Sequence, residues 1–268
     1  MTLPTMRCGV LVLAAIVGMV SAPASAQEQE QREQRRTRIA LGAQVVPSFP
    51  GAEDLSIRPL FDIARARGDT PFEFEAPDES FGFPLVRAGG FSIGPAINLE
   101  GKRSTGEVGG QLPKVGFTVE AGGFLQYELS DSFRLRGELR KGLGGHEGLI
   151  GTVGADYVAR DGDAWLISIG PRVTWADDDY HDAYFSVAPA DAGPSGLGAY
   201  DADGGIQAVG VTAGLVTQLT RRWGIYSYAK YDRLTGDAAD SPIVQRFGSR
   251  DQFSGGIGLT YTFGRGLD

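Results

Sequence analysis

The sequence predicts an all-β protein, a transmembrane antiparallel up-and-down β-barrel of about 12 strands. Three observations carry that prediction. Apolar and small or polar residues alternate with a period of two over segments much longer than the ~5–6 residues of ordinary strands. The polar face of those segments is rich in Gly, Ser and Thr, as a packed barrel interior would be, where a solvated face would carry more Lys and Glu. The connections alternate between short and long, the pattern of periplasmic turns and outer loops. A soluble β-sandwich shares the alternation but neither the length nor the Gly-rich polar face. Glycine fills 40 of 268 positions, about double its ordinary ~7% share, with no collagen period. The net charge of −8 argues against phosphate-contacting nucleic-acid binding, and the apolar and aromatic content against a disordered chain.

The elements follow in order. Residues 1–26 form a secretory signal peptide: Arg7 gives the positive start, Gly9 to Val20 the apolar stretch and Ala24-Ser25-Ala26 the cleavage site. That apolar stretch is short for ~30 Å of hydrocarbon, and nothing after Ala26 is long and apolar enough for a membrane helix. Cleavage removes Cys8, the only cysteine, so no disulfide or thiol chemistry is expected. Residues 27–37 are a polar periplasmic leader, 38–263 the outer-membrane barrel and 264–268 a short C-terminal extension. Within the barrel the pattern places strands at 38–49, 55–66, 71–76, 80–87, 90–101, 115–129, 133–141, 149–160, 163–176, 206–219, 223–235 and 250–263. Both termini then lie in the periplasm, and residues 77–79 become a short outer loop.

The segment from Trp165 to Trp175 shows the design. Trp165, Ile167, Ile169, Val173 and Trp175 share one face, while Ser168, Gly170, Arg172 and Thr174 lie on the other. At ~3.3 Å per residue it spans ~33 Å; tilted ~45° it rises ~23 Å, close to the ~25 Å lipid band between aromatic girdles. Trp165, Trp175, Trp223, Tyr261 and Phe263 are the predicted girdle, contacting outer-membrane lipids. A tight turn centred on Asp131 sets Glu128 opposite Arg134 and Gln126 opposite Arg136. Glu120, Glu128, Arg134, Arg136, Glu138, Arg140 and Arg172 therefore form a predicted lumen charge network. Two readings of it stand: a lining for a solute pore, or a mutually neutralising network that fills a narrow barrel.

Other candidates are weaker. The acidic stretch after Ala176 has a cation-binding reading beside that of a solvated loop, but the residue at the twelfth place from Asp201 is Thr212, where a calcium loop carries Glu. His146 and His181 lie in predicted outer loops; Ser186 or Ser195 beside His181 would suggest a hydrolase, yet no G-x-S-x-G motif is present. No catalytic residue, metal or cofactor is expected.

Several strings carry a family resemblance. They are Ala183–Ala192, Leu197–Gly205, Tyr231–Val244 with its Gly-Asp-Ala-Ala-Asp-Ser-Pro-Ile-Val run, and Gly248–Phe263. Pro47–Asp54 matches an early segment more loosely. Together they resemble the MipA/OmpV family of outer-membrane proteins, most sharply from Tyr180 to Phe263. The resemblance implies an outer-membrane location and a non-enzymatic barrel, with a terminal aromatic strand read by the barrel-assembly machinery. For one namesake it implies scaffolding between a lytic transglycosylase and a peptidoglycan synthase; for others, porin-like or adhesive roles. The expectation is a scaffold, with a narrow channel for small hydrophilic solutes or ions as the alternative.

Overall fold

The computed structural model describes residues 35–264; the predicted signal peptide, most of the leader and the last residues of the C-terminal extension lie outside the described residues. Twelve strands form one curled antiparallel sheet: β1 (Arg35–Pro47), β2 (Leu55–Arg67), β3 (Phe81–Gly82), β4 (Val86–Ala88), β5 (Phe91–Glu100), β6 (Thr118–Ser130), β7 (Phe133–Gly144), β8 (Leu149–Asp161), β9 (Trp165–Ala176), β10 (Gly205–Gln218), β11 (Trp223–Leu234) and β12 (Asp251–Phe263). From β5 to β12 each strand pairs with its sequence neighbour, and β12 then pairs with β1 and β1 with β2. The chain ends are thus joined, with Thr37 opposite Phe263 and Val45 opposite Gly255. β1 begins inside the stretch read as leader.

Burial is inverted relative to a soluble sheet. In β7 the alternate residues Arg134, Arg136, Glu138 and Arg140 are buried, while Phe133, Leu135 and Leu139 are half exposed. The same inversion exposes Ile57, Ile167, Ile257 and Leu259. A sheet that buries its charges and presents its aliphatics has its apolar solvent outside and its polar space inside, which rules out the sandwich. Glycine permits the close approach of the strands. A Cβ on Gly122 would stand 1.9 Å from the Leu139 carbonyl oxygen across the β6–β7 hairpin.

The wall differs from the expectation at one place. Residues 71–79, predicted as a wall strand over 71–76 and a short outer loop over 77–79, run inside the lumen together with Ser80, predicted to begin the next strand. Phe72 is buried there, its backbone N–H donating to Asp163 Oδ1 at 2.9 Å. The strand expected at 80–87 survives only as the short pieces β3 and β4, both on β5. The twelve-strand total is retained because one predicted strand is split and another withdrawn from the wall. β2 therefore has no strand partner on its far side, leaving a seam between β2 and β3–β4 among the described residues.

The outer loops build a cap. It holds a 3₁₀ turn (Thr105–Val108) and four short helices, α1 (Asp178–Tyr184), α2 (Pro189–Ser195), α3 (Gly236–Asp240) and α4 (Pro242–Phe247). Asp177 caps α1, its side chain accepting from the Tyr180 N–H at 3.0 Å, and Ser241 caps α4, where Pro242 occupies the first turn. Tyr180, Tyr184, Phe185, Val187, Ile243 and Val244 bury an apolar core with Phe49 and Leu112. A second, smaller cluster lies in the lumen toward the end of the wall that carries the short turns, where Leu60 and Ala40 meet Val158, Leu166, Val216 and Tyr226.

Candidate functional site

The lumen side chains form one continuous polar ladder. At its outer end His146 Nε2 lies 3.2 Å from Glu120 Oε1, and Asn98 donates to Glu120 Oε2 at 3.0 Å. Arg140 links Glu120 (Nε, 2.9 Å) to Glu138 (Nη1, 2.7 Å). Arg136 holds the other oxygen of Glu138 at 2.7 Å and lies over the Phe124 ring. Arg134 pairs with Glu79 and, at 2.8 Å, with Asp156; Asp156 in turn takes Arg172 at 2.7 Å. Arg172 and Lys230 then converge on Asp78 at 3.1 and 3.4 Å, with Thr212 donating to it at 2.9 Å. Each guanidinium has a carboxylate within reach, and opposite signs alternate along the ladder. Such charges are held by geometry and mutual attraction, and they fill space more than they line a path.

Six of the seven predicted network residues lie in this ladder: Glu120, Arg134, Arg136, Glu138, Arg140 and Arg172. Glu128 does not. The β6–β7 register does set Glu128 opposite Arg134 and Gln126 opposite Arg136, but Glu128 is exposed at the periplasmic end, and Arg134 reaches inward to Glu79 and Asp156 instead. The sequence pattern places Asp78 and Glu79 in an outer loop; the lumenal course of 71–80 makes them central anchors of the ladder. His146 joins it from an outer loop that folds under the cap. The Phe-Glu-Phe-Glu alternation of residues 72–75 is the one pattern in the 71–80 segment, and it fits a wall strand equally well.

Trp165, Trp223, Tyr261 and Phe263 gather at the end of the wall that carries the short turns, and Trp175 stands at the opposite end of β9, all with rings toward the outside. Trp223 meets Tyr261 edge-on at 4.8 Å, and Tyr261 meets Phe263 at 4.7 Å. Aromatics at the ends of lipid-facing strands are the residues expected at headgroup level.

The two mouths differ. The outer one is shut by the cap. Burial raises the Tyr180 and Tyr184 hydroxyls above their ordinary 10.0, with Glu100 and Glu120 adding to it. Burial also depresses the Arg103 guanidinium to about 10, where its neighbours are the Tyr184 and Pro113 carbonyls at 2.9 and 3.1 Å. Several carboxylates of the acidic loop serve its structure: Asp177 accepts from the Tyr180 N–H, Asp178 from the Gly204 N–H and Asp182 from the Ser186 hydroxyl. Among the described residues no cluster of metal-ligating side chains forms. His181 Nδ1 bonds the Asp203 carbonyl at 2.6 Å, and the Ser186 hydroxyl serves Asp182, so no Ser–His pair assembles there. The periplasmic mouth is open. A vestibule of about 680 Å³ lies between the turns at Ser130–Ser132 and Gly162, walled by Phe72, Phe74, Phe124, Arg134, Arg136 and Arg160.

An antiparallel wall with lipid-facing aliphatics, a charged lumen and aromatic girdles defines an outer-membrane β-barrel. The model of the family described as MltA-interacting protein MipA matches residues 39–263. The chain belongs to this family. Among solved structures it is similar to the outer-membrane protein OprG from Pseudomonas aeruginosa (12% identity, 87% of this chain and 98% of that one, TM-score 0.30). It is also similar to the COG4313 outer membrane channel from Pseudomonas putida F1 (11% identity, 86% and 96%, TM-score 0.38). The Salmonella typhi OmpF chain shares 10% identity over 76% of this chain at a TM-score of 0.33, and the chain spans half of its length. These likenesses are remote. A comparison with curated proteins finds no match.

Proposed function

We propose that the protein is a non-enzymatic scaffold of the outer membrane that works from its periplasmic face. On this reading the chain is exported by a signal peptide cleaved near Ala26 and inserted by the barrel-assembly machinery. It then sits among outer-membrane lipids and positions peptidoglycan-remodelling enzymes against the membrane. The carrying observation is the asymmetry of the lumen: an apolar cap seals the outer mouth and a neutralised ladder fills the middle, while a vestibule of about 680 Å³ opens to the periplasm. The turns on that side are too short to offer much docking surface, and the vestibule supplies a concave one of the size an extended peptide segment fills. The family description names an interaction with MltA, which supports a lytic transglycosylase as one partner; a peptidoglycan synthase is the second partner in this proposal.

The test is capture of both enzymes from detergent extracts by the folded barrel, compared with a variant whose vestibule is blocked by Ser130→Trp. Capture that fails for the folded wild type, or that is unchanged by the block, overturns the reading. The alternative, a narrow channel for small hydrophilic solutes or ions, requires conductance steps in planar bilayers; the sealed outer mouth favours silence.

A further inference from the structure

The seam has a parity that the wall pattern does not tolerate. Each strand from β2 through β1, β12 and back to β5 and then β3 is antiparallel to the next. The first and last of that series, β2 and β3–β4, therefore run in the same direction. An up-and-down wall closes by antiparallel pairing, so one strand of the opposite direction is missing between them. The chain that connects the two edges, residues 71–80, has that direction.

The local geometry around that chain is already that of a hairpin. The Thr70 N–H donates to the Arg67 carbonyl at 3.1 Å, closing a two-residue turn over Gly68 and Asp69. Gly68 sits at φ +53, in the left-handed region such hairpin turns use. Continuing this turn in register puts Phe72 opposite Arg65 and Phe74 opposite Ile63. Those β2 residues face outward, as exposed Ile63 and Phe61 show. Phe72 and Phe74 would then face lipid, and Glu73 and Glu75 the lumen. Glu73 is already tied to Arg87 of β4, on the far side of the seam, at 2.6 Å.

We propose that residues 71–76 exchange between their seat in the lumen and the seam, where they complete the wall as a strand antiparallel to both β2 and β3–β4. The lumenal seat is held by the segment itself, where the Phe72 N–H donates to Asp163 and the Phe72 and Phe74 carbonyls accept from Arg160 and Arg134, and by the residues that follow. Asp78 binds Arg172, Lys230 and Thr212; Glu79 binds Arg134; and the Ser80 hydroxyl donates to Glu138 at 2.6 Å. Phe72 adds its packing under the Arg36 and Arg38 guanidiniums. Moving the segment into the wall empties the mid-lumen and deepens the periplasmic vestibule into a cup beneath the cap. The fold thus contains two placements for one segment, the discrete alternatives a switch requires.

Paired cysteines test this in the mature chain, where Cys8 is gone. The pair Pro77→Cys/Gly214→Cys reports the lumenal seat, since a Cβ on Gly214 would lie 3.0 Å from Pro77 Cγ. The pairs Ile63→Cys/Phe74→Cys and Arg65→Cys/Phe72→Cys report the wall, and Ile63→Cys/Glu75→Cys is the off-register control. Folding of each is checked by heat-modifiable gel mobility. The expected result is partial cross-linking of the lumen pair and of both wall pairs in outer membranes, with the control at background. Asp78→Asn together with Glu79→Gln should raise the wall fraction several-fold and lower the lumen fraction. Two wall pairs are used so that misfolding of one does not decide the matter. Wall pairs no better than the control in folded protein, with or without the released anchors, overturn the proposal.

Discussion

Asp156 is the place where the lumen ladder is most sharply tested. Its side chain is 2% exposed and bridges two guanidiniums, Arg134 at 2.8 Å and Arg172 at 2.7 Å. Removing one partner of a buried ion pair costs about 3–5 kcal/mol, because the remaining charge is left in a medium that solvates it poorly. Asp156→Ala strips both arginines at once, yet each retains a second carboxylate, Glu79 for Arg134 and Asp78 for Arg172. The expected loss is therefore near the lower end, about 3 kcal/mol. Read by urea unfolding of the refolded barrel in liposomes, with m of ~2 kcal/mol per M, the midpoint falls by ~1.5 M. The loss should be insensitive to added salt, since buried pairs are screened little. Arg250→Ala, which breaks an exposed pair with Asp240, is the comparison and should cost about 0–1 kcal/mol. An Asp156→Ala loss no larger than that of Arg250→Ala would refute the ladder as a stabilising element.

Three further outcomes follow from the same geometry. Glu128→Gln should leave the unfolding midpoint within about 0.5 kcal/mol of wild type, whereas Glu79→Gln should lower it clearly; equal effects in paired melts would contradict the ladder as drawn. Phe185→Ala, in the core of the cap, should cost about 3–5 kcal/mol of local stability, seen as faster amide exchange in α1 and α4 with the barrel strands unchanged. The Tyr180 and Tyr184 hydroxyls have folded pKa values above the 10.0 of the unfolded chain. Their contribution is thus fully present below pH 10 and is lost as pH rises toward the folded values. Tyrosinate absorbance should accordingly appear together with exposure of the cap, and ionisation at pH 10 with the cap still protected would contradict their burial.

The strands from β6 to β12 were legible because lipid on one side and a polar lumen on the other impose strict alternation, and the Asp131 turn pinned the β6–β7 register. The same alternation misled at 71–76. Phe-Glu-Phe-Glu suits a wall strand with lipid outside and equally a segment whose phenylalanines lie against arginines in the lumen, as Phe72 and Phe74 do. Asp78 and Glu79 escaped notice for the same reason, since charged residues after a proline resemble a surface loop. The cap helices are five to seven residues long, less than two turns, so no helical period accumulates. The start signals are single residues: Asp177 as an N-cap, Pro189 in a first turn, and Ser241-Pro242, a capping hydroxyl before a proline. The charge network was largely readable from alternation, including its pairs across neighbouring strands, but the pairings to Asp78 and Glu79 were not, because those two residues belong to a segment misplaced by pattern.

The cap also bears on how the cell-exterior side of this protein can be modified. Surface loops ordinarily accept tags and insertions because nothing depends on their shape. Here the loops share a core, so an epitope placed near Tyr184, Val187 or Ile243 would unseat its neighbours. The end of α2 is different: a side chain added at Gly193 or Gly198 would meet nothing within 4 Å. That short stretch is where a label for counting or imaging the protein on living cells belongs.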